Sequence, residues 1–346
     1  MPLPPPDTER ATDLLNRLLD KGYADTTSKV ARAILNTSTG GAMGQRLREF
    51  EAESQRLKDE GLPLTTDNPI YSAFMSQFQT TLNQQAGMVD NAADAVQANG
   101  VNAGLDASKQ MTLESAGLPS NSAVSVLWKR PDPEAIYRAV GYVNTGAWAN
   151  EIGAYPLDVL ETVNNAIIRG IVEGRSPLAI ARDVRDMVGT MPLYKANNLM
   201  RTLQMESYRS ATAANYMANS DILYGQIRIA ALDMRTCLFC VSEHGKELPL
   251  NESVISHHQC RCTTIAKVIG RTYNIPTGES WYNGLSEAQK LQLAGAANYN
   301  ALKAGVVQLS DFKHAYTDPV FGDMMSEGSL VGILGDQAQQ YYKKNQ

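Results

Sequence analysis

The chain of 346 residues contains four cysteines, and all of them fall between Cys237 and Cys262. The run reads Asp233-Met-Arg235-Thr236-Cys237-Leu-Phe-Cys240, then His244-Gly245-Lys246, then His257-His258-Gln-Cys260-Arg261-Cys262. A Cys-x2-Cys knuckle brings two thiolates to one ion from a tight turn. The His-x2-Cys-x-Cys element offers three more donors from the opposite side. Thiolate and imidazole together suit Zn2+, and four protein ligands with no position left for water make a structural site rather than a catalytic one. Cys237, Cys240, His257, Cys260 and Cys262 are thus the candidate ligands of a structural zinc ion, with one of the five redundant. Alternation along an extended segment puts Cys260 and Cys262 on the same side, so both can reach the ion. This reading places Cys262 slightly ahead.

Disulfides, a redox pair or plain buried thiols are the competing readings. Disulfides need an oxidising compartment, and Met1-Pro-Leu-Pro-Pro-Pro6 has neither the basic start nor the apolar core of a secretory signal. A redox Cys-x-x-Cys belongs beside a βαβ pattern, which the chain does not show. Three charged residues flank the cysteines. Asp233 is placed to orient a ligand or to accept backbone N–H groups, and Arg235 and Arg261 to balance thiolate charge. A solvated ion pair is the alternative for each. His244, before a turn glycine, reads as a turn residue, and His258 as pointing away from its neighbour.

The elements that must position these residues follow from hydrophobic period and punctuation. Helical spacing extends from Asp7 or Thr8 to Gly22, from about Thr27 to Leu35, from 43 to 60 and through the Ala-, Gln- and Asn-rich stretch from 70 to 116. Pro131-Asp-Pro133 breaks the chain. Further helices are expected over Leu157–Glu173, Pro177–Val188 and Leu193–Ser220. The period then changes: Gln226-Ile-Arg228-Ile229 alternates as a half-buried strand does, Lys246–Leu250 is a short strand, and Cys262–Val268 is a third. Ser286-Glu-Ala-Gln289 is a capping box opening a helix through Lys303, with Gly305 as its stop, and Ser310-Asp-Phe312 opens a short helix. The expected fold is mainly α-helical with a small antiparallel β zinc-knuckle module (α+β). Four regions are expected: a helical 1–130 with a flexible Pro-rich arm, a helical 131–222, the β zinc module 223–275, and a C-terminal helical region with a mobile tail, 276–346.

Composition narrows the function. Lys and Arg number 31 against 36 Asp and Glu, a net charge of −5, and an acidic chain without a basic block is a poor free nucleic-acid binder. No stretch approaches the roughly 18 apolar residues of a membrane span. The His257-His258 pair is similar to that of HNH nucleases, but their downstream Asn and His on a ββα unit are missing. No nucleophile elbow, phosphate loop or His-Glu-x-x-His is present.

The cysteine segment resembles the phage Mu F-like minor head proteins, the phage head morphogenesis family. The shared pattern is Asp-x-Arg-Thr-Cys-x-x-Cys at 233–240, Gly-Lys at 245–246 and His-x-x-Cys-Arg-Cys at 257–262, followed by Trp281-x-x-Gly284-x-Ser286-x-x-Gln289. His258 stands where the family has proline, and Arg201-Thr202 is followed by Leu203 rather than glutamate, with Glu206 a turn later. The resemblance covers about 160–315. It implies a non-enzymatic minor capsid protein of a tailed phage. Its expected partners are the portal protein, or the major capsid or scaffolding protein, with transient contact to phage DNA. Its expected location is the head interior or portal vertex of the virion, and the bacterial host cytoplasm during assembly. A protein ejected with the genome to act in the host, or an HNH-like or toxin-type enzyme, stand as the alternatives.

Overall fold

In a computed structural model, residues 27–252 and 254–342 are described. The helix expected before Gly22, the Pro-rich arm and the last four residues lie outside them. Tertiary contacts divide the chain into two compact units, each assembled from separate stretches.

One unit takes residues Tyr23–Gln97 and Gly141–Leu203. It contains α1 (27–39), α2 (Gly41–Asp59), the first half of α3 (Pro69–Ser115), α6 (Gly146–Val172) and the first half of α7 (Pro177–Ala218). Asn68 opens α3 by accepting the N–H of Ile70 at 2.9 Å. Phe50, Phe74 and Phe78 stack in series in the core, with centroids 4.9 and 6.0 Å apart. Buried Trp148 donates its indole N–H to Asp90 at 2.8 Å. The break expected near residues 189–192 is absent: α7 runs through Pro192 without interruption. Tyr155 donates to the Pro192 carbonyl at 3.0 Å, so packing around the proline sustains a helix that local propensity would end.

The other unit contains residues Ala98–Val140 and Gln204–Gln346 of the described chain, with α4 (Ala123–Leu127), α5 (Pro133–Val140) and all of the β structure. The later half of α3 meets the later half of α7 nearly backbone to backbone. A Cβ on Gly104 would lie 2.4 Å from the Tyr208 carbonyl oxygen, and one on Gly100 2.5 Å from that of Gln204. The polar groups trapped there are paired: Asn215 donates to the Leu105 carbonyl at 3.0 Å and to Ser108 at 2.6 Å.

Against α7 lies an antiparallel sheet in the order β2-β1-β3, made of β1 (Leu223–Ile229), β2 (Glu247–Leu248) and β3 (Thr263–Val268). In register, Ile227 faces Ile265 and Ile229 faces Thr263. Ile227, Ile229 and Ile265 share a core with Tyr208, Met205 and Met111. The expected alternation of β1 is present, but its polar face is not in water. Gln226 and Arg228 are 2 and 3 % exposed. Loop carbonyls receive them, with Gln226 donating to Pro249 and Glu252, and Arg228 to Ile255. Alternation alone reports two faces, not which of them is wet.

Short elements complete this unit: α8 (Leu238–Glu243), α9 (Gly278–Gly284), α10 (Glu287–Lys303), the hairpin β4 (His314–Asp318) and β5 (Gly322–Ser326), α11 (Leu330–Leu334) and α12 (Gln339–Tyr342). The capping box at Ser286 and Gln289 forms as expected. The described part of the tail after Gly328 is anchored at two points. Leu330 and Ala338 are 1 and 0 % exposed and pack with Leu238, Val241 and Phe312. The chain is thus mainly helical with small antiparallel sheets, as the residue patterns indicate.

Candidate metal centre

Two pieces of backbone bring the five donors together. Cys237 is the N-cap of α8, where its sulfur accepts the Cys240 N–H at 3.4 Å, so knuckle and helix start coincide. Facing it, the loop before β3 turns sharply: Cys260 N–H donates to the His257 carbonyl at 3.0 Å, with Gln259 at φ 59°. That left-handed residue folds His257 and Cys260 to one side. The Cys262 N–H then donates to the Cys260 sulfur at 3.4 Å.

His257 Nε2 lies 3.2 Å from Cys237 Sγ and 3.3 Å from Cys240 Sγ, and Cys240 Sγ lies 3.7 Å from Cys260 Sγ. The donors form two overlapping triads, Cys237–Cys240–His257 and Cys240–Cys260–Cys262, each with its ligand atoms within 4.8 Å of one another. Cys240 belongs to both. Zinc–sulfur bonds of about 2.3 Å in a tetrahedron set sulfurs about 3.8 Å apart, which the Cys240–Cys260 pair meets. A cavity of about 30 Å³ lies among the donors, which is room for an ion and not for a substrate. A larger cavity of about 660 Å³, beside α9 and α10, has none of the five in its wall.

The tautomer of His257 suits a metal. Its Nδ1 is 2.8 Å from the His258 carbonyl, which can only accept, so Nδ1 carries the proton and Nε2 faces the thiols. Burial opposes charge on this ring, but Cys237 and Cys260 outweigh it and raise its pKa to about 10. Cys237 is lowered to about 5, chiefly by Cys240 and then by His257, against burial. Cys260 is held well below the usual thiol range by Cys240 and Cys262, with Arg209 contributing. For Cys262, Cys240 acts downward, but Cys260 and burial prevail and push it up to about 12. Crowded thiols cannot all ionise without a cation.

The flanking residues take distinct places. Asp233 forms a two-pronged pair with Arg261, both distances 2.6 Å, and accepts the Arg235 N–H at 2.9 Å. Arg261 thereby fixes the strand between Cys260 and Cys262. The Arg235 side chain is 76 % exposed and reaches only Asp233, at 3.4 Å. His258 turns away from the thiols, as expected, and meets Asp318 of β4 at 2.8 Å. A tether thus replaces the ring constraint of the family's proline. The hairpin carrying Asp318 also accepts and donates across the site: Met325 N–H reaches the Ser256 carbonyl at 2.7 Å.

Three residues of the site were not singled out by the sequence: Arg209, Arg228 and the role of Glu206. Arg209 is buried in α7 and donates to Glu206 at 2.7 Å, to Ser256 at 3.0 Å and to the carbonyls of Cys260 and Cys262 at 2.9 and 3.0 Å. The available signal was an i, i+3 Glu–Arg pair within a long helix.

His244 lies outside both triads. It is 5 % exposed, and its Nδ1 accepts the Ala230 N–H at 2.9 Å. Burial lowers its pKa to about 4, against a small opposing effect of that hydrogen bond. Its folded pKa lies below the ordinary 6.5 of an unfolded chain, so the unfolded state binds the proton first. Stability present above pH 6.5 is lost as pH falls towards 4, by up to about 3 kcal/mol. His244→Asn, whose amide oxygen accepts in place of Nδ1, should flatten this part of the profile of melting temperature against pH. An unchanged slope would refute the assignment.

The fold and site define a class: a helical protein with a Cys/His cluster clamped between a short helix and the loop that leads into a strand of a small sheet. The model of the family described as Phage Mu protein F like protein matches residues 161–265, from α6 to β3. This agrees with the resemblance carried by the cysteine motif. No curated protein and no solved structure matches the chain. Among the described residues no helix is long and apolar enough to cross a membrane.

Proposed function

We propose that the chain is a structural minor head protein of a tailed bacteriophage, acting in head morphogenesis at the portal vertex. Its Cys/His module serves as a zinc-stapled bracket. The observation that carries this reading is the family match over 161–265, which contains all five candidate donors, Cys237, Cys240, His257, Cys260 and Cys262. Cys237, Cys240, His257 and Cys260 are the ligands in this reading, and zinc would supply a rigid tetrahedral cross-link between α8 and the loop before β3. Cys260 is favoured as the fourth ligand because it meets the tetrahedral spacing to Cys240 and is the thiol drawn towards ionisation, whereas Cys262 is pushed up. No catalytic step is assigned: the small cavity accommodates an ion alone.

The test is the protein content of purified particles. Virions and procapsids should both contain the chain, in few copies, and reconstitution should recover it with the cognate portal protein. Absence from both particle types would refute the head assignment. Presence in full virions and loss from emptied ones would mark it as ejected with the genome.

A further inference from the structure

The loop from 254 to 262 carries three of the five donors, and two buried arginines outside the motif hold its backbone at both ends. Arg209 spans the loop from end to end. Its Nη1 donates to Ser256, its Nη2 to the Cys260 carbonyl and its Nε to the Cys262 carbonyl, at 3.0, 2.9 and 3.0 Å. Glu206, which pairs with Arg209 at 2.7 Å, also accepts from Ser256 at 2.5 Å, so carboxylate and guanidinium grip the same residue. Arg228 enters from β1. Its Nη1 donates to the Ile255 carbonyl at 2.9 Å, its guanidinium lies 5.0 Å over the Phe239 ring, and Glu243 is 3.9 Å away. Its Nε and Nη2 have no acceptor among the described residues.

A guanidinium is a planar fork that can hold several oxygens at fixed angles, and a lysine ammonium is not. Burying two such cations is costly unless each is paired and hydrogen-bonded. Their side chains are 7 and 4 % exposed, and the oxygens they hold belong mainly to the ligand loop. We propose that Arg209 and Arg228 are positioning residues that hold the 254–262 loop in its metal-binding shape before any ion arrives. They thereby set the metal affinity without themselves supplying a ligand atom. An ion then enters a preformed socket. This rests on the metal reading for affinity, but not for the order of the loop.

The test uses the full-length chain, stripped of metal with a chelator, and Co2+ as the spectroscopic probe. Amide hydrogen exchange of 254–262 in the metal-free wild type should be slow, comparable with β1. Arg209→Met and Arg209→Lys should both speed exchange across the loop by tenfold or more, because an ammonium cannot span Ser256, Cys260 and Cys262 together. Both should weaken Co2+ binding by roughly 10- to 100-fold, the usual effect of losing a group that orients ligands. Arg138→Ala, which removes an exposed side chain of α5 paired with Glu134, should change neither. If an Arg209 variant loses its helical circular dichroism, Arg228→Met decides the matter by the same two readouts. Free exchange of the loop in the metal-free wild type would overturn the proposal, as would wild-type Co2+ affinity in folded Arg209 and Arg228 variants. A wild type with a protected loop and no Co2+ binding would refute the metal reading and leave the clamp standing.

Discussion

Cys240→Ser should abolish metal retention, and it should do so more completely than any other single change. Cys240 is the donor common to both triads, 3.3 Å from His257 and 3.7 Å from Cys260. Every four-ligand set that takes two donors from each side requires both Cys237 and Cys240, and of the two only Cys240 belongs to both triads. A serine hydroxyl at that position is a poor ligand for a borderline-soft ion. Structural zinc sites bind with apparent free energies on the order of 10 kcal/mol or more in small modules, so the loss should appear both in stoichiometry and in thermal stability. Cys262→Ser should instead retain zinc, since Cys260 already supplies the fourth donor. Elemental analysis after dialysis against a moderate chelator distinguishes the two. Equal loss in both variants would move the fourth ligand to Cys262, and retention in Cys240→Ser would remove the site as described.

Gly278→Val should be the most destabilising change away from the donors. A Cβ on Gly278 would lie 1.8 Å from the Val241 carbonyl oxygen and 3.1 Å from His244 Cβ. The start of α9 is therefore pressed against the end of α8, where Gly278 N–H also reaches the His244 carbonyl at 3.2 Å. Backbone cannot yield as a flexible side chain does, so α8 must move, and Cys237 and Cys240 with it. A cost of about 3 kcal/mol or more is expected from overpacking of this kind. Urea unfolding followed by circular dichroism measures it. Wild-type midpoint and slope would show that α8 is not positioned by this contact.

The parts of the molecule legible in the sequence are those whose signal is local. Cys237 and Cys240 have two residues between them because a single helix turn must present both, and the Ser286–Gln289 capping box is closed within four residues. The three strands around the cysteines announced themselves by a change of period. What stayed hidden depends on partners distant in sequence. Arg209 reads as a surface residue of a long helix, and only the fold brings the carbonyls of Cys260 and Cys262 to it. Arg228 reads as the wet face of a strand for the same reason. The β4–β5 hairpin has no counterpart in the sequence reading, which expects a helical region there, because His314–Asp318 and Gly322–Ser326 hold few strong strand formers. Its anchors are tertiary: Met325 to Ser256, and Asp318 to His258. Asp318-Pro319 with Gly322 was the available turn signal, and Asp318 indeed caps that turn by accepting the N–H groups of Val320 and Phe321.

Zinc-edge X-ray absorption on the purified full-length chain tests the central claim most directly. One zinc per chain is expected, with three sulfur neighbours at about 2.3 Å and one nitrogen at about 2.0 Å, and no oxygen in the first shell. A chain that is folded and free of zinc, or a zinc with a water oxygen among its ligands, would contradict a closed structural site.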